Sequence, residues 1–203
     1  MSPESTLMRI HQAARKEFRE RGFHGASLRS IVKSLGMTTG AFYGYYKSKE
    51  DLFAALVEDH YRYLLDRFRQ AQEEFAHLPY ACQPELLGDF SGACMFDMLH
   101  YAYDHLEDCQ LLLCCAEGTR FAGLVDEMVQ IETDATHNYF QVLEELGRPV
   151  PDIDLRLEHI LITGMFRTFF ELIIHAMPLN EAENYLREMR AFYTAGWMKI
   201  MGQ

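Results

Sequence analysis

The sequence predicts an all-α protein of about nine helices, and three observations carry that expectation. Apolar residues recur at three- and four-residue steps through most of the chain, with no strand-like alternation of any length. Helix-opening Ser and Thr and helix-closing Gly and Pro punctuate those stripes at helical lengths. Almost half of the 203 residues, 49%, are apolar, enough for a sizeable buried core.

The elements follow in order. Leu7, Ile10, Ala13, Ala14 and Phe18 mark a first helix ending near Gly22. Ser27 is placed to cap a second, with Leu28, Ile31, Val32 and Leu35 inward and Gly36 closing it. A short third helix opens at Thr38 or Thr39 and runs to about Tyr45, with Phe42 continuing the inward stripe and Tyr46 also packing. Ser48 followed by Asp51 has the capping-box form for a long fourth helix reaching Ala76. Pro79 and Pro84 bracket a loop. Helical patterns then cover residues 85–105 and 107–116, and Gly118-Thr119 stops one helix and caps the next, which runs to Leu146. After a second loop at 147–151, two closing helices span about 154–177 and 180–201, parted by Pro178.

Charge is unevenly spread. The net value is −11, yet residues 1–49 hold nine Lys or Arg against three acids, or +6. The remainder, with ten basic and 27 acidic residues, carries −17. A basic N-terminal surface joined to an acidic body points to nucleic acid as a partner of the first segment. Five cysteines, an odd number without paired spacing, suit a reducing compartment. The N-terminus lacks the apolar run of a signal peptide, and Arg167, Glu171 and His175 interrupt the most apolar stretch, Ile160 to Met177. The expectation is a cytoplasmic protein with no membrane association.

The second and third helices, separated by a Gly-containing turn, form a helix-turn-helix pattern. Arg29 can reach a phosphate or fork onto a guanine edge. Thr38 and Thr39 bring hydroxyls and free N–H groups to the start of the third helix, where a phosphate is favoured. Gly40 removes a side chain where that helix presses on the DNA backbone. Tyr43 and Tyr45 project phenols, and Lys47 and Lys49 suit phosphate anchoring. No nucleophile elbow, phosphate loop or metal-ligand helix stands out, so neither enzyme activity nor a cofactor or metal is expected. A helical small-molecule carrier is the reading from another class. Cys109, Cys114 and Cys115 open a thiol or metal-responsive alternative, although adjacent cysteines diverge by about 100° on a helix.

The segment GFHGASLRSIVKSLGMTTGAFYGYYKSKEDLF, within residues 10–56, resembles the DNA-binding segment of the tetracycline-repressor (TetR) family. The resemblance rests on the GF turn, S-L-R-x-I, L-G-M-T-x-G-x-F-Y and K-S-K-E-x-L-F. It implies a homodimeric, ligand-responsive transcriptional regulator, with repression the expected mode, that binds a palindromic double-stranded operator and is released by a small-molecule effector. Residues 1–48 become the helix-turn-helix domain, and residues 49–203 the ligand-binding and dimerisation domain. The implied DNA contacts are Ser27, Arg29, Thr38, Thr39, Gly40, Tyr43, Tyr45 and Lys49. Gly44, where the family often carries a larger residue, and Val32, where Ala is usual, depart from the pattern.

The same resemblance implies a dimer interface on the closing helices. Both are apolar on more than one face, and Ile160, Phe169, Ile173, Met189, Phe192 and Trp197 are assigned to it. Candidates for an effector cavity are Tyr61, Leu65, Phe68, Phe96, Met98 and Tyr101, then Cys114, Phe121, Met128, Phe166 and Phe170. The excess of acid outside the first segment favours a cationic or neutral amphipathic effector over an anion.

Overall fold

The computed structural model describes residues 3–200, with side chains throughout that span except at residues 3, 4 and 88–91. Among the described residues every regular element is helical. They are α1 (Pro3–Gly25), α2 (Leu28–Ser34), α3 (Thr39–Tyr43), α4 (Lys49–Ala76), a 3-10 turn (Tyr80–Cys82), α5 (Gln83–Asp104), α6 (Leu106–Cys115), α7 (Leu124–Glu145), α8 (Leu155–Ile174) and α9 (Leu179–Ile200). No described helix is long and apolar enough to cross a membrane.

The chain divides into two compact units, Met1–Tyr63 with His105–Gly123, and Leu64–Asp104 with Leu124–Gln203. The division passes through the middle of α4, so one continuous helix contributes to both. It does not coincide with the functional boundary expected at residues 48/49, because the first two turns of α4 bury Leu52, Phe53, Leu56 and Val57.

In the first unit, Ile10, Ala14 and Phe18 lie on one face of α1 and are fully buried. Phe18, Phe23 and Phe53 form an aromatic knot, with Phe53 edge-on to Phe18 at 5.0 Å and to Phe23 at 5.4 Å. Such pairs add about 0.5–1.5 kcal/mol each beyond the area they bury. Ile31 and Val32 of α2 and Phe42 of α3 complete the core. The regular part of α1 breaks at Gly22 (φ 64°), where the sequence pattern ends it. The returning segment supplies α6, which packs along α1. There Arg15 donates through Nε and Nη2 to the two carboxylate oxygens of Asp108, both at 2.6 Å.

The second unit pairs α7 with α8 and α5 with α9. Its core holds Leu65, Phe68, Met98, Met128, Ile162, Phe166, Phe169, Phe170 and Ile173. Asp154 caps α8 by accepting from the N–H groups of Arg156 and Leu157.

Of the boundaries that differ from the sequence expectation, three have a clear local reason. α3 stops at Tyr43 rather than Tyr45, because Gly44 takes the capping position. α5 begins at Gln83, since Pro84 in a first helical turn forfeits no intrahelical hydrogen bond. α7 begins at Leu124, because the Thr119 hydroxyl closes a turn instead, donating to Ala116 O and accepting from Phe121 N. The last expected helical residue, Met201, lies outside the described residues.

Candidate nucleic-acid interface and effector cavity

The turn between α2 and α3 is a Schellman motif. Met37 N donates to Val32 O and Gly36 N to Lys33 O, both at 3.2 Å, with Gly36 at φ 62°. A side chain at 36 would be strained, so glycine fixes the angle at which α3 leaves α2. Thr38 then caps α3, its Oγ1 accepting from Ala41 N at 3.2 Å. That bond uses a lone pair and leaves the hydroxyl proton free to donate outward. Phe42 is fully buried and anchors the helix from below. Tyr46 is half-buried and hydrogen-bonds through its hydroxyl to His11 Nε2, as packing rather than contact.

On this base Thr38, Thr39, Gly40, Tyr43, Tyr45 and Lys47 are all exposed. Gly40 has open space around the place where a Cβ would stand. At five residues α3 is too short for a substantial helix dipole; what it presents outward is its first N–H groups, the Thr38 and Thr39 hydroxyls and, beyond its end, Lys47. Arg29 is exposed near the start of α2.

Two expected contacts look different in place. Ser27 occupies the N-cap position of α2, but its side chain makes no capping bond. Glu17 serves that end instead, accepting from Ser27 N at 3.0 Å and from Ser30 Oγ at 2.8 Å. The Ser27 hydroxyl is thereby left exposed. Lys49 departs further. Its Nζ donates to the carbonyls of Phe23 (2.6 Å), Ala26 (3.2 Å) and His24 (3.3 Å), and it stands 4.4 Å from the centre of the Phe23 ring. Three donors on three acceptors exhaust an ammonium group. Lys49 ties the end of α1 to the start of α4 and has no proton left for a phosphate.

The second unit contains a cavity of about 310 Å³. Its wall repeats one spacing on three helices: Phe68, Ala71, Gln72 and Phe75 of α4, then Glu132, Ala135, Thr136 and Tyr139 of α7, then Leu186, Met189, Arg190 and Tyr193 of α9. Each set is i, i+3, i+4, i+7, the signature of one helical face turned to a common space. Trp197 continues the α9 face, and Met95 and Met165 close the sides. Gln72 Nε2 donates to Glu132 Oε2 at 2.7 Å.

Of the eleven cavity candidates, only Phe68 lines this space. Leu65, Met98, Met128, Phe166 and Phe170 are buried in the solid core. Tyr61 and Phe121 pack edge-to-face on each other at 5.3 Å in the first unit, where Cys114 is exposed on α6. Phe96 is half-buried beneath the Arg187 and Arg190 guanidinium groups, and Tyr101 is half-buried on α5. Apolar periodicity finds buried faces and does not separate a packed face from one that borders a void. The clue to Glu132 was available: it is the lone acid on a face otherwise made of Met128, Ala135 and Tyr139.

The expected dimer residues also separate. Ile160 and Phe192 are 63% and 73% exposed, with Leu155, Leu157 and Tyr185 exposed on the same two helices. Phe169 and Ile173 are fully buried within the protomer, and Met189 and Trp197 border the cavity. A helix apolar on several faces leaves the choice of outer face to its neighbours. The cysteines of α6 give the thiol alternative no support. Burial pushes the Cys109 thiol up to about 12 and raises Cys115, whereas the thiolate is the reactive form. Among the described residues no group of three or more His, Cys, Asp or Glu is placed to hold a metal ion.

Residues 10–56 match the model of the family described as bacterial regulatory proteins, tetR family. The whole chain is similar to the HTH-type transcriptional regulator UidR of Escherichia coli K12, 38% identical over 202 residues, covering 98% of this chain and 92% of that protein. Two solved structures share the fold. A tetR-family regulatory protein from Rhodococcus RHA1 matches with a TM-score of 0.56 at 18% identity, over 94% of this chain and 97% of that one. The TetR-family regulator PfmR from Thermus thermophilus matches with a TM-score of 0.52 at 16% identity, over 91% and 96%. A short reader helix on a glycine-set turn, an all-helical body and a relative aligned from end to end agree: the chain belongs to the tetR family of bacterial transcriptional regulators.

Proposed function

We propose that this regulator is a homodimer that represses transcription from a palindromic operator and is released when a small molecule fills the cavity of its second unit. The observation that carries the DNA reading is the exposed row from Thr38 to Lys47, standing on the buried Phe42 and the Gly36 turn, in a segment of charge +6. Arg29, Thr38, Thr39, Gly40, Tyr43, Tyr45 and Lys47 form the contact set, with Ser27 at its edge and Lys49 holding the fold behind it. Residues 1–48 act as the reader and 49–203 as the sensor and dimerisation part. Two readers set about one helical turn apart, roughly 34 Å, match a palindrome.

The sensing step runs through α4. One face of that helix packs Leu52, Phe53, Leu56 and Val57 into the reader's unit, and its later turns place Phe68, Gln72 and Phe75 in the cavity wall. An effector that binds one setting of α4 better than another shifts the population by that difference in affinity. Thiol, metal and carrier readings have no comparable support.

Footprinting of the purified protein on its source DNA tests the proposal. A short palindrome near a promoter is the expected result, with log affinity falling linearly against log salt. Lys47→Ala should reduce that slope by about 2 for a dimer, one phosphate per protomer. Diffuse binding without a preferred sequence overturns the reading. The interface has its own test. Phe192→Glu places two charges at the expected contact and should yield monomers in sedimentation, with operator binding lost. A dimer that survives both Phe192→Glu and Ile160→Glu moves the interface elsewhere.

A further inference from the structure

The cavity wall carries one feature that the regulator reading leaves unused, a half-buried carboxylate among aromatic side chains. Glu132 sits in mid-α7 with its Oε2 held by Gln72, and Phe75 and Tyr139, edge-to-face at 5.9 Å, belong to the same wall. A second acid adds to the local charge. Glu158 of α8 is 1% exposed. Its Oε2 lies 2.9 Å from His137 Nε2, and its Oε1 is buried with no hydrogen-bond partner among the described residues. Burial first, and the negative charge of Glu158 second, push the Glu132 carboxyl up to about 7, against the Gln72 bond that lowers it.

Leaving the Glu132 carboxylate on a largely apolar wall, with the buried Glu158 adding to the negative charge, is costly. Three kinds of occupant can be weighed against that cost. A neutral apolar molecule displaces water and increases it. An anion adds a third negative charge on the same side. A cation neutralises Glu132, and the aromatic faces of Phe75, Tyr139 and Trp197 attract it through their quadrupoles. Arg190 also borders the cavity, but its guanidinium is turned to α5. There it lies 5.9 Å from the centre of the Phe96 ring and fills the space that a Cβ at Gly92 would need. Glu85, the other acid on the wall, is exposed.

We propose that the cavity takes a hydrophobic organic cation, an ammonium group carried on an aromatic or branched aliphatic body, with Glu132 as its counter-charge and Gln72 as the residue that orients Glu132. This rests on the effector-responsive reading and names the chemical class of the effector.

Trp197, the only tryptophan in the chain, lies in the wall, so its fluorescence reports occupancy of the cavity without reference to DNA. The probes are phenyltrimethylammonium, its uncharged carbon isostere tert-butylbenzene, and benzenesulfonate, titrated into the full-length protein. The cation should bind about tenfold tighter than the isostere, the size of one desolvated cation–π and counter-charge interaction, and the sulfonate weakest. Glu132→Gln should bring cation and isostere to within about threefold of each other while affinity for the isostere is retained, which also shows that the variant is folded. Tighter binding of the sulfonate or the isostere by the unaltered protein overturns the proposal. So does a cation preference that stays near tenfold in Glu132→Gln, or the absence of a response to any probe. Operator binding measured on the same samples separates the two readings. A protein that holds its operator without preferring the cation loses this proposal alone. One that takes the cation but never a specific duplex loses the regulator reading.

Discussion

Asp108→Asn should lower the thermal midpoint at pH 7 by roughly 4–8 °C, which corresponds to about 2 kcal/mol in a chain of this length. The size of the effect follows from the carboxyl itself. Burial alone would raise Asp108, but the two hydrogen bonds from Arg15, with His60 Nε2 nearby at 3.7 Å, outweigh it and hold the group at about 2, from an ordinary 3.8. A native value below the unfolded one stabilises the fold at every pH above the unfolded value. That stability is lost as pH falls through the native one. The wild-type advantage over Asp108→Asn should therefore be complete above pH 5 and fade between about pH 4 and pH 2. Side-chain exposures of 26% for Arg15 and 15% for Asp108 leave little room for solvent screening. The neighbouring pair Arg19–Glu107, at 3.5 Å with exposures of 51% and 67%, is the internal control. Glu107→Gln should leave the midpoint unchanged, because exposed pairs contribute about 0–1 kcal/mol. Melting curves of the two variants at pH 7 and pH 3 decide the matter. Equal effects at pH 7 would mean that the Arg15 fork is no stronger than a surface pair. The functional interest of the fork is where it lies, since it fastens α6 to α1, the helix that backs the reader.

The reader was legible in the sequence because its determinants are local. Gly36 closing a helix, Thr38 and Ser48 as caps, and Phe42 pointing inward are all statements about neighbours within four residues, and the structure has each of them. Lys49 shows where local reading stops. A lysine beside a helix start looks like a phosphate anchor, but the end of α1 leaves carbonyls at Phe23, His24 and Ala26 without helical partners, and the ammonium group satisfies all three. Seeing that requires knowing that residues 23–26 and residue 49 meet. The cavity failed for the same reason on a larger scale. Phe166 and Phe68 belong to equally apolar stripes and touch at 5.1 Å, yet only Phe68 borders the void. Which side of an apolar helix faces space depends on how several helices pack. The same holds for Phe169 and Ile173 against Ile160 on α8, where the inward and outward faces are both apolar.

Gly40→Glu should separate stability from DNA binding more sharply than any other single change in the reader. Gly40 is the second residue of α3, exposed, with no atom within 4 Å of the place where a Cβ would stand and no positive φ to forbid one. Replacing glycine inside a helix gains up to about 0.5 kcal/mol in propensity. The melting temperature should therefore hold or rise slightly. The same carboxylate stands beside Thr39 and Tyr43, where a phosphate is proposed to lie, so it brings both bulk and like charge to the contact. A penalty of about 1.4 kcal/mol in each half-site is tenfold, and a dimer carries two, so operator affinity should fall about 100-fold. Gly40→Ala, with a methyl group and no charge, should fall between the two. Operator affinity of Gly40→Glu within threefold of the unaltered protein, at unchanged melting temperature, would show that α3 does not meet the DNA backbone. The recognition surface would then have to be sought on α2 around Arg29.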